Sequence, residues 1–127
     1  MRCSIIRPAL IGVGRVAVFV IEDDEAVRDA LVILLSQFGH QVLGYPDAES
    51  FLTDVLPGED DVVLIDLGLP GLPGNQLLRW LNALAAPPRV VVISGQSQSA
   101  ILDAMRDFSA VPVLRKPLTV GSLSAVL

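Results

Sequence analysis

Four polar groups stand where apolar runs end. Asp66 closes Val62-Val63-Leu64-Ile65 and precedes a loop holding Gly68, Pro70, Gly71, Pro73 and Gly74. Glu22, Asp23, Asp24 and Glu25 follow the run from Val16 to Ile21. Ser94-Gly95 follows Val90 to Ile93, and Arg115-Lys116-Pro117 follows Val111 to Leu114. Charges buried without partners are costly, and consecutive acids repel one another. A helix start can absorb Asp24 as its cap and Glu25 in its first turn. Glu22, Asp23 and Asp66 then call for a cation. Oxygen donors without His or Cys select a hard ion, Mg²⁺ rather than zinc. Asp23 and Asp66 are the expected direct ligands, with Glu22 acting through water and the backbone carbonyl of Gly68 adding an oxygen. Magnesium accepts phosphate oxygens as co-ligands. Lys116 adds a mobile point charge suited to a phosphoryl group, and Ser94 adds a hydroxyl donor. A carboxylate is a competent nucleophile for phosphoryl transfer. The set therefore reads as a site where a phosphoryl group moves onto Asp66. The metal, Lys116 and Ser94 would neutralise its equatorial oxygens. No general base is needed, because a carboxylate is ionised at neutral pH.

These residues are far apart in sequence, so the fold must gather them. Short, β-branched apolar runs bounded by charge and by Gly or Pro suit strands buried on both faces. Four are expected at Val16 to Ile21, Val62 to Ile65, Val90 to Ile93 and Val111 to Leu114, and a fifth from His40 to Tyr45. Between them lie helical patterns. Val27, Ala30, Leu31, Leu34, Leu35 and Phe38 share a stripe that Gly39 ends. Asp47 can cap a short helix carrying Ala48, Phe51, Leu52 and Val55. Asn75 to Leu84 places Leu77, Leu78, Leu81 and Leu84 inward and leaves Trp80 off the stripe. Ala100, Ile101, Ala104, Met105 and Phe108 mark another helix, and a last one starts near Thr119 or Val120 and is cut off at Leu127. Strands alternating with helices predict an α/β fold, a parallel sheet wrapped on both faces. Right-handed crossovers bring every strand's C-terminal end to one edge. That edge is where open α/β sheets place chemistry, and it collects Glu22, Asp23, Asp66, Ser94 and Lys116.

Composition narrows the function classes. With 127 residues, one domain is the default. Hydrophobic residues make up 52% but aromatics only 5%, so the core is aliphatic. The net charge of −5 argues against direct nucleic-acid binding, which needs clustered Lys and Arg. A single cysteine, Cys3, excludes an internal disulfide and fits a reduced compartment, the cytoplasm. No run reaches membrane-spanning length. Residues 1–15 read as a leader of uncertain structure. Gly12-Val13-Gly14 within it lacks the preceding strand a dinucleotide fingerprint requires. Residues 16–127 form the expected domain.

The motifs resemble the receiver domain of two-component response regulators. The acidic cluster after V-F-V-I, the D-x-x-x-P-x-x-x-G of Asp66, Pro70 and Gly74, the Ser94-Gly95 pair and the Lys116-Pro117 pair occur in the family's order and spacing. The stretch from Ile21 to Leu31 is similar to receivers of nitrogen-fixation-type regulators and of hybrid sensor kinases. The resemblance implies a flavodoxin-like (CheY-like) doubly wound five-stranded sheet in the order 2-1-3-4-5. It implies that Asp66 takes phosphate from a histidine kinase or a histidine phosphotransfer protein, and that Asp23 holds Mg²⁺ beside Glu22. Ser94 corresponds to the switch hydroxyl and Lys116 to the phosphoryl-pairing lysine, and the bond before Pro117 is expected cis. Many receivers form homodimers through a face that the last helix helps build, and here that helix is short. The family commonly has an aromatic residue three positions before the lysine, where this chain has Val113. The output and the cognate kinase are not written in these residues.

Two other readings compete. A pseudo-receiver would be an interaction module that no longer takes phosphate, yet all the key residue types are present. A Mg²⁺-dependent phosphatase with an aspartyl nucleophile usually needs a second acid two residues further on, and Gly68 occupies that position. Gly68 and Gln96 flank the phosphoryl site and are candidates for tuning self-dephosphorylation.

Overall fold

The computed structural model describes residues 17–127. The leader expected over residues 1–15, with its glycine pair, and Val16 lie outside the described residues. Ten elements alternate: β1 (Ala17–Ile21), α1 (Glu25–Gln37), β2 (Gln41–Tyr45), α2 (Ala48–Asp54), β3 (Val62–Asp66), α3 (Gly74–Asn82), β4 (Arg89–Ser94), α4 (Gln98–Ala104), β5 (Val113–Arg115) and α5 (Val120–Ser124). The strands form one parallel sheet in the order β2-β1-β3-β4-β5. This is the expected doubly wound architecture. No helix among the described residues is long and apolar enough to cross a membrane.

Strand alternation divides the core in two. Phe19, Ile21, Val63, Ile65 and Val92 point to one side, against Phe51 of α2, Leu77, Leu78 and Leu81 of α3 and Ile101 of α4. Val18, Val20, Leu64, Val91 and Ile93 point to the other, against Leu31 and Leu35 of α1 and Leu123 of α5. Every residue of β1 and β3 is buried, which explains why their sequences are continuous apolar runs rather than alternating ones.

The helix starts follow local chemistry. Asp24 accepts from Val27 N–H, Asp47 from Ser50 N–H, and Thr119 and Ser122 form a reciprocal capping box. Gly39 turns the chain out of α1 at φ +92°. Trp80 projects off the buried stripe of α3, 42% exposed. Several boundaries differ from the expectation: α2 stops at Asp54, short of Val55, and α4 stops at Ala104, leaving Met105 as its C-cap and Phe108 beyond it. The fifth strand begins at Val113 rather than Val111, because Val111 N–H turns back to Phe108 O at 3.0 Å and Pro112 has no N–H to pair. α3 stops at Asn82, and its last turn tightens as Leu84 N–H bonds Leu81 O at 3.2 Å. β2 starts at Gln41, leaving His40 just outside it.

Candidate functional site

The register carries the strand ends to a common edge. Ile21 pairs with Ile65, Asp66 with Ile93 and Ser94 with Arg115. Glu22 continues β1, its N–H bonded to Tyr45 O at 3.0 Å. Glu22, Asp23 and Asp66 each present a carboxylate oxygen within 4.8 Å of the others. Glu22 is fully buried, Asp66 is 5% exposed, and Asp23 is exposed. The acid farthest from solvent is thus Glu22, and the one most open to incoming ligands is Asp23.

Lys116 closes the site from the edge of the sheet. Its Nζ lies 2.6 Å from Glu22 Oε1 and 3.3 Å from Asp66 Oδ2. Glu22 Oε1 nevertheless lacks a hydrogen-bond donor, so charge rather than an aligned N–H holds that pair. Glu22 Oε2 accepts from Asp24 N–H at 3.2 Å, and Asp66 Oδ1 accepts from Gly68 N–H at 2.9 Å. Burial first, and then the neighbouring Asp66, push the Glu22 carboxyl up to about 7, against the opposing pull of Lys116. Burial works against the Lys116 ammonium, but Glu22 and Asp66 outweigh it and hold its pKa above the ordinary lysine value. The peptide bond from Lys116 to Pro117 is cis, as the resemblance implies.

Ser94 is fully buried at the end of β4. Its Oγ accepts from Gln96 N–H at 3.0 Å, and its backbone carbonyl accepts from Lys116 N–H at 2.9 Å. Alternation sets Ser94 on the parity of Val90 and Val92, opposite that of Ile93. Gly68 contributes its N–H to Asp66, and its missing side chain leaves the carboxylate open, since a Cβ there would lie 3.6 Å from Oδ1. Gly74 has a different reason for being glycine. A Cβ on it would come within 2.5 Å of the Asp66 backbone carbonyl.

Three carboxylates facing one ammonium leave an excess of two negative charges if all are ionised. That excess of negative charge on three converging carboxylates, two of them buried, is what a hard divalent cation would satisfy. The donor set therefore fits Mg²⁺ and does not fit a thiophilic metal.

Two contributors escaped the sequence reading. Arg28 of α1 donates through Nη1 to Glu22 O at 2.8 Å, which fixes the backbone of the buried acid. Its stem crosses β2 where Gly44 has no side chain, 3.0 Å from the position of a Cβ. A glycine inside a strand signals such close approach, and Gly44 was that signal. Glu49 of α2 is the second, bonded to Leu72 N–H in the loop after β3.

A family model described as the response regulator receiver domain matches residues 18–127. The transcriptional regulatory protein FixJ of Bradyrhizobium diazoefficiens is 34% identical over 111 residues, which are 87% of this chain and 54% of that protein. The KDP operon transcriptional regulatory protein KdpE of Escherichia coli is 32% identical over 110 residues, 87% of this chain and 48% of that protein. The chain thus spans about half the length of these curated relatives. Among solved structures, the crystal structure of FixJ-N superposes with a TM-score of 0.74 at 28% identity, covering 87% of this chain and 89% of that one. The response regulator DrrB of Thermotoga maritima shares the fold, with a TM-score of 0.75 at 22% identity over 87% of this chain and 50% of that chain. A sheet ordered 2-1-3-4-5, an acidic cluster at its C-terminal edge and a family match over nearly the whole chain lead to one conclusion: the chain belongs to the response regulator receiver domain family of two-component signalling.

Proposed function

We propose that the chain is a phosphoryl-accepting switch whose acceptor is Asp66 and whose donor is the phosphohistidine of a histidine kinase or histidine phosphotransfer protein. The observation that carries this reading is the meeting of Asp66 with two further carboxylates and with the Lys116 ammonium, 3.3 Å from Oδ2. An Asp66 carboxylate oxygen forms a P–O bond as the donor's P–N bond breaks, and the electrons of that bond stay on the imidazole nitrogen. Glu22, Asp23, Asp66 and the Gly68 carbonyl would hold Mg²⁺, which when bound supplies positive charge to the transferring oxygens. Lys116 binds the incoming phosphoryl oxygens, and its tie to Glu22 keeps it at the site beforehand. Ser94 would turn its hydroxyl from Gln96 N–H toward the phosphoryl group, making it the moving part. Gly68 N–H orients the acceptor carboxylate. Residues 16–127 act as the receiver unit, preceded by the leader of residues 1–15. The output follows from a partner or from another domain. In the named relatives, that output is transcriptional regulation.

Incubation with acetyl phosphate and Mg²⁺ followed by intact-mass measurement tests the reading. One phosphoryl adduct is expected on the wild-type chain and none on Asp66→Asn. A wild-type chain that stays unmodified would make this a pseudo-receiver.

A further inference from the structure

Glu49 sits in the first turn of α2, outside the acidic cluster. Its Oε2 accepts from Leu72 N–H at 3.0 Å, across 23 residues of sequence. Leu72 precedes Pro73, the N-cap of α3, and that cap offers no side-chain hydrogen bond. Helix N-termini leave N–H groups unpaired and favour negative charge. Glu49 does not replace that cap, since the N–H it holds lies one residue before Pro73, but it brings a negative charge to the approach to α3. The same carboxylate also shapes the turn before it. Gly71 has φ +70°, and a Cβ on it would lie 2.5 Å from Glu49 Oε2.

The inner end of this loop carries two further bonds. Leu67 N–H bonds Ile93 O at 3.0 Å, and Gly68 N–H bonds Asp66 Oδ1 at 2.9 Å. The loop is therefore tied to the sheet at one end and to α2 at the other. We propose that Glu49 is a positioning residue for the phosphoryl site: by tethering the outer end of the β3–α3 loop, it fixes where Gly68 meets the Asp66 carboxylate. Glu49 touches no reacting atom, and the inference rests on the proposed phosphoryl acceptance at Asp66.

The test compares wild type, Glu49→Ala and Glu49→Gln with acetyl phosphate at saturating Mg²⁺. Intact mass gives the phosphorylation rate, the backbone amide resonance of Gly68 reports the loop, and thermal unfolding reports stability. Losing one charge-assisted tether should slow phosphorylation about threefold in Glu49→Ala and shift the Gly68 resonance. Glu49→Gln keeps an acceptor oxygen and should restore both. If wild type forms the adduct and all three proteins form it at one rate with Gly68 unmoved, the tether has no positioning role, whatever the unfolding midpoints do. Absence of the adduct on wild type overturns the phosphoryl reading itself, and this inference with it.

Discussion

The centre of the sheet and its β5 edge contribute to one site in different ways. β1 and β3 are buried throughout; Glu22 follows the end of β1 and Asp66 ends β3, so both acids sit on fully buried strands. β5 has three residues, none fully buried, and it delivers Lys116. Beside it, a groove of about 400 Å³ runs between α4 and β5, lined by Ile101, Met105, Phe108 and Val113. Asp66 is held by packing, whereas the Lys116 ammonium is held by charge, through its contacts to Glu22 and Asp66. The proposed switch would use both: a firmly packed acceptor, and neighbours that rearrange when a phosphoryl group arrives.

Truncation at matched positions should break this contrast most sharply. Ile65→Ala removes a fully buried side chain from the centre and should cost about 2–5 kcal/mol. Val113→Ala, partly buried at the edge, should cost about 1 kcal/mol or less, because its surroundings are already open. Denaturant midpoints measure both, and equal losses would show that the edge is packed as tightly as the centre.

A smaller effect is expected on the opposite side, after β2. Asp47→Ala removes the cap of α2 and should cost about 1 kcal/mol at neutral pH. Hydrogen bonds from Ser50 lower the pKa of Asp47 in the folded chain. Its contribution is therefore present above the unfolded carboxylate pKa and lost as pH falls through the folded value. Wild-type and variant unfolding midpoints should converge in acid.

The finest comparison concerns Tyr45, which ends β2 and donates to Asp54 Oδ2 at 2.6 Å. Burial, and then Asp54, raise its phenol above the ordinary range. The folded state thus holds this proton more tightly than the unfolded chain, so the stabilisation is complete below the unfolded tyrosine pKa and fades as pH climbs toward the folded value. Tyr45 is the chain's single tyrosine, so ultraviolet titration reads it directly. Ionisation at the free-tyrosine pH would place β2 among the loose parts of the sheet.

Much of this was legible in the sequence, for a physical reason. Buried parallel strands must be apolar throughout, so a polar residue ending such a run, like Asp66 or Ser94, stands out, and the handedness of crossovers gathers the ends. The start of β5 was not legible, since Val111 looks like strand while its N–H is spent on Phe108. Glu49 was hidden because it bonds a backbone group, which leaves no trace in residue type, and Arg28 showed only indirectly, through the glycine its stem crosses.

Gly74 carries one more consequence. With no side chain between them, the first residue of α3 rests directly on the peptide oxygen of Asp66. Helix and aspartate are in effect one lever with little slack in the joint, so any displacement of the start of α3 would be passed to Asp66 through bare backbone.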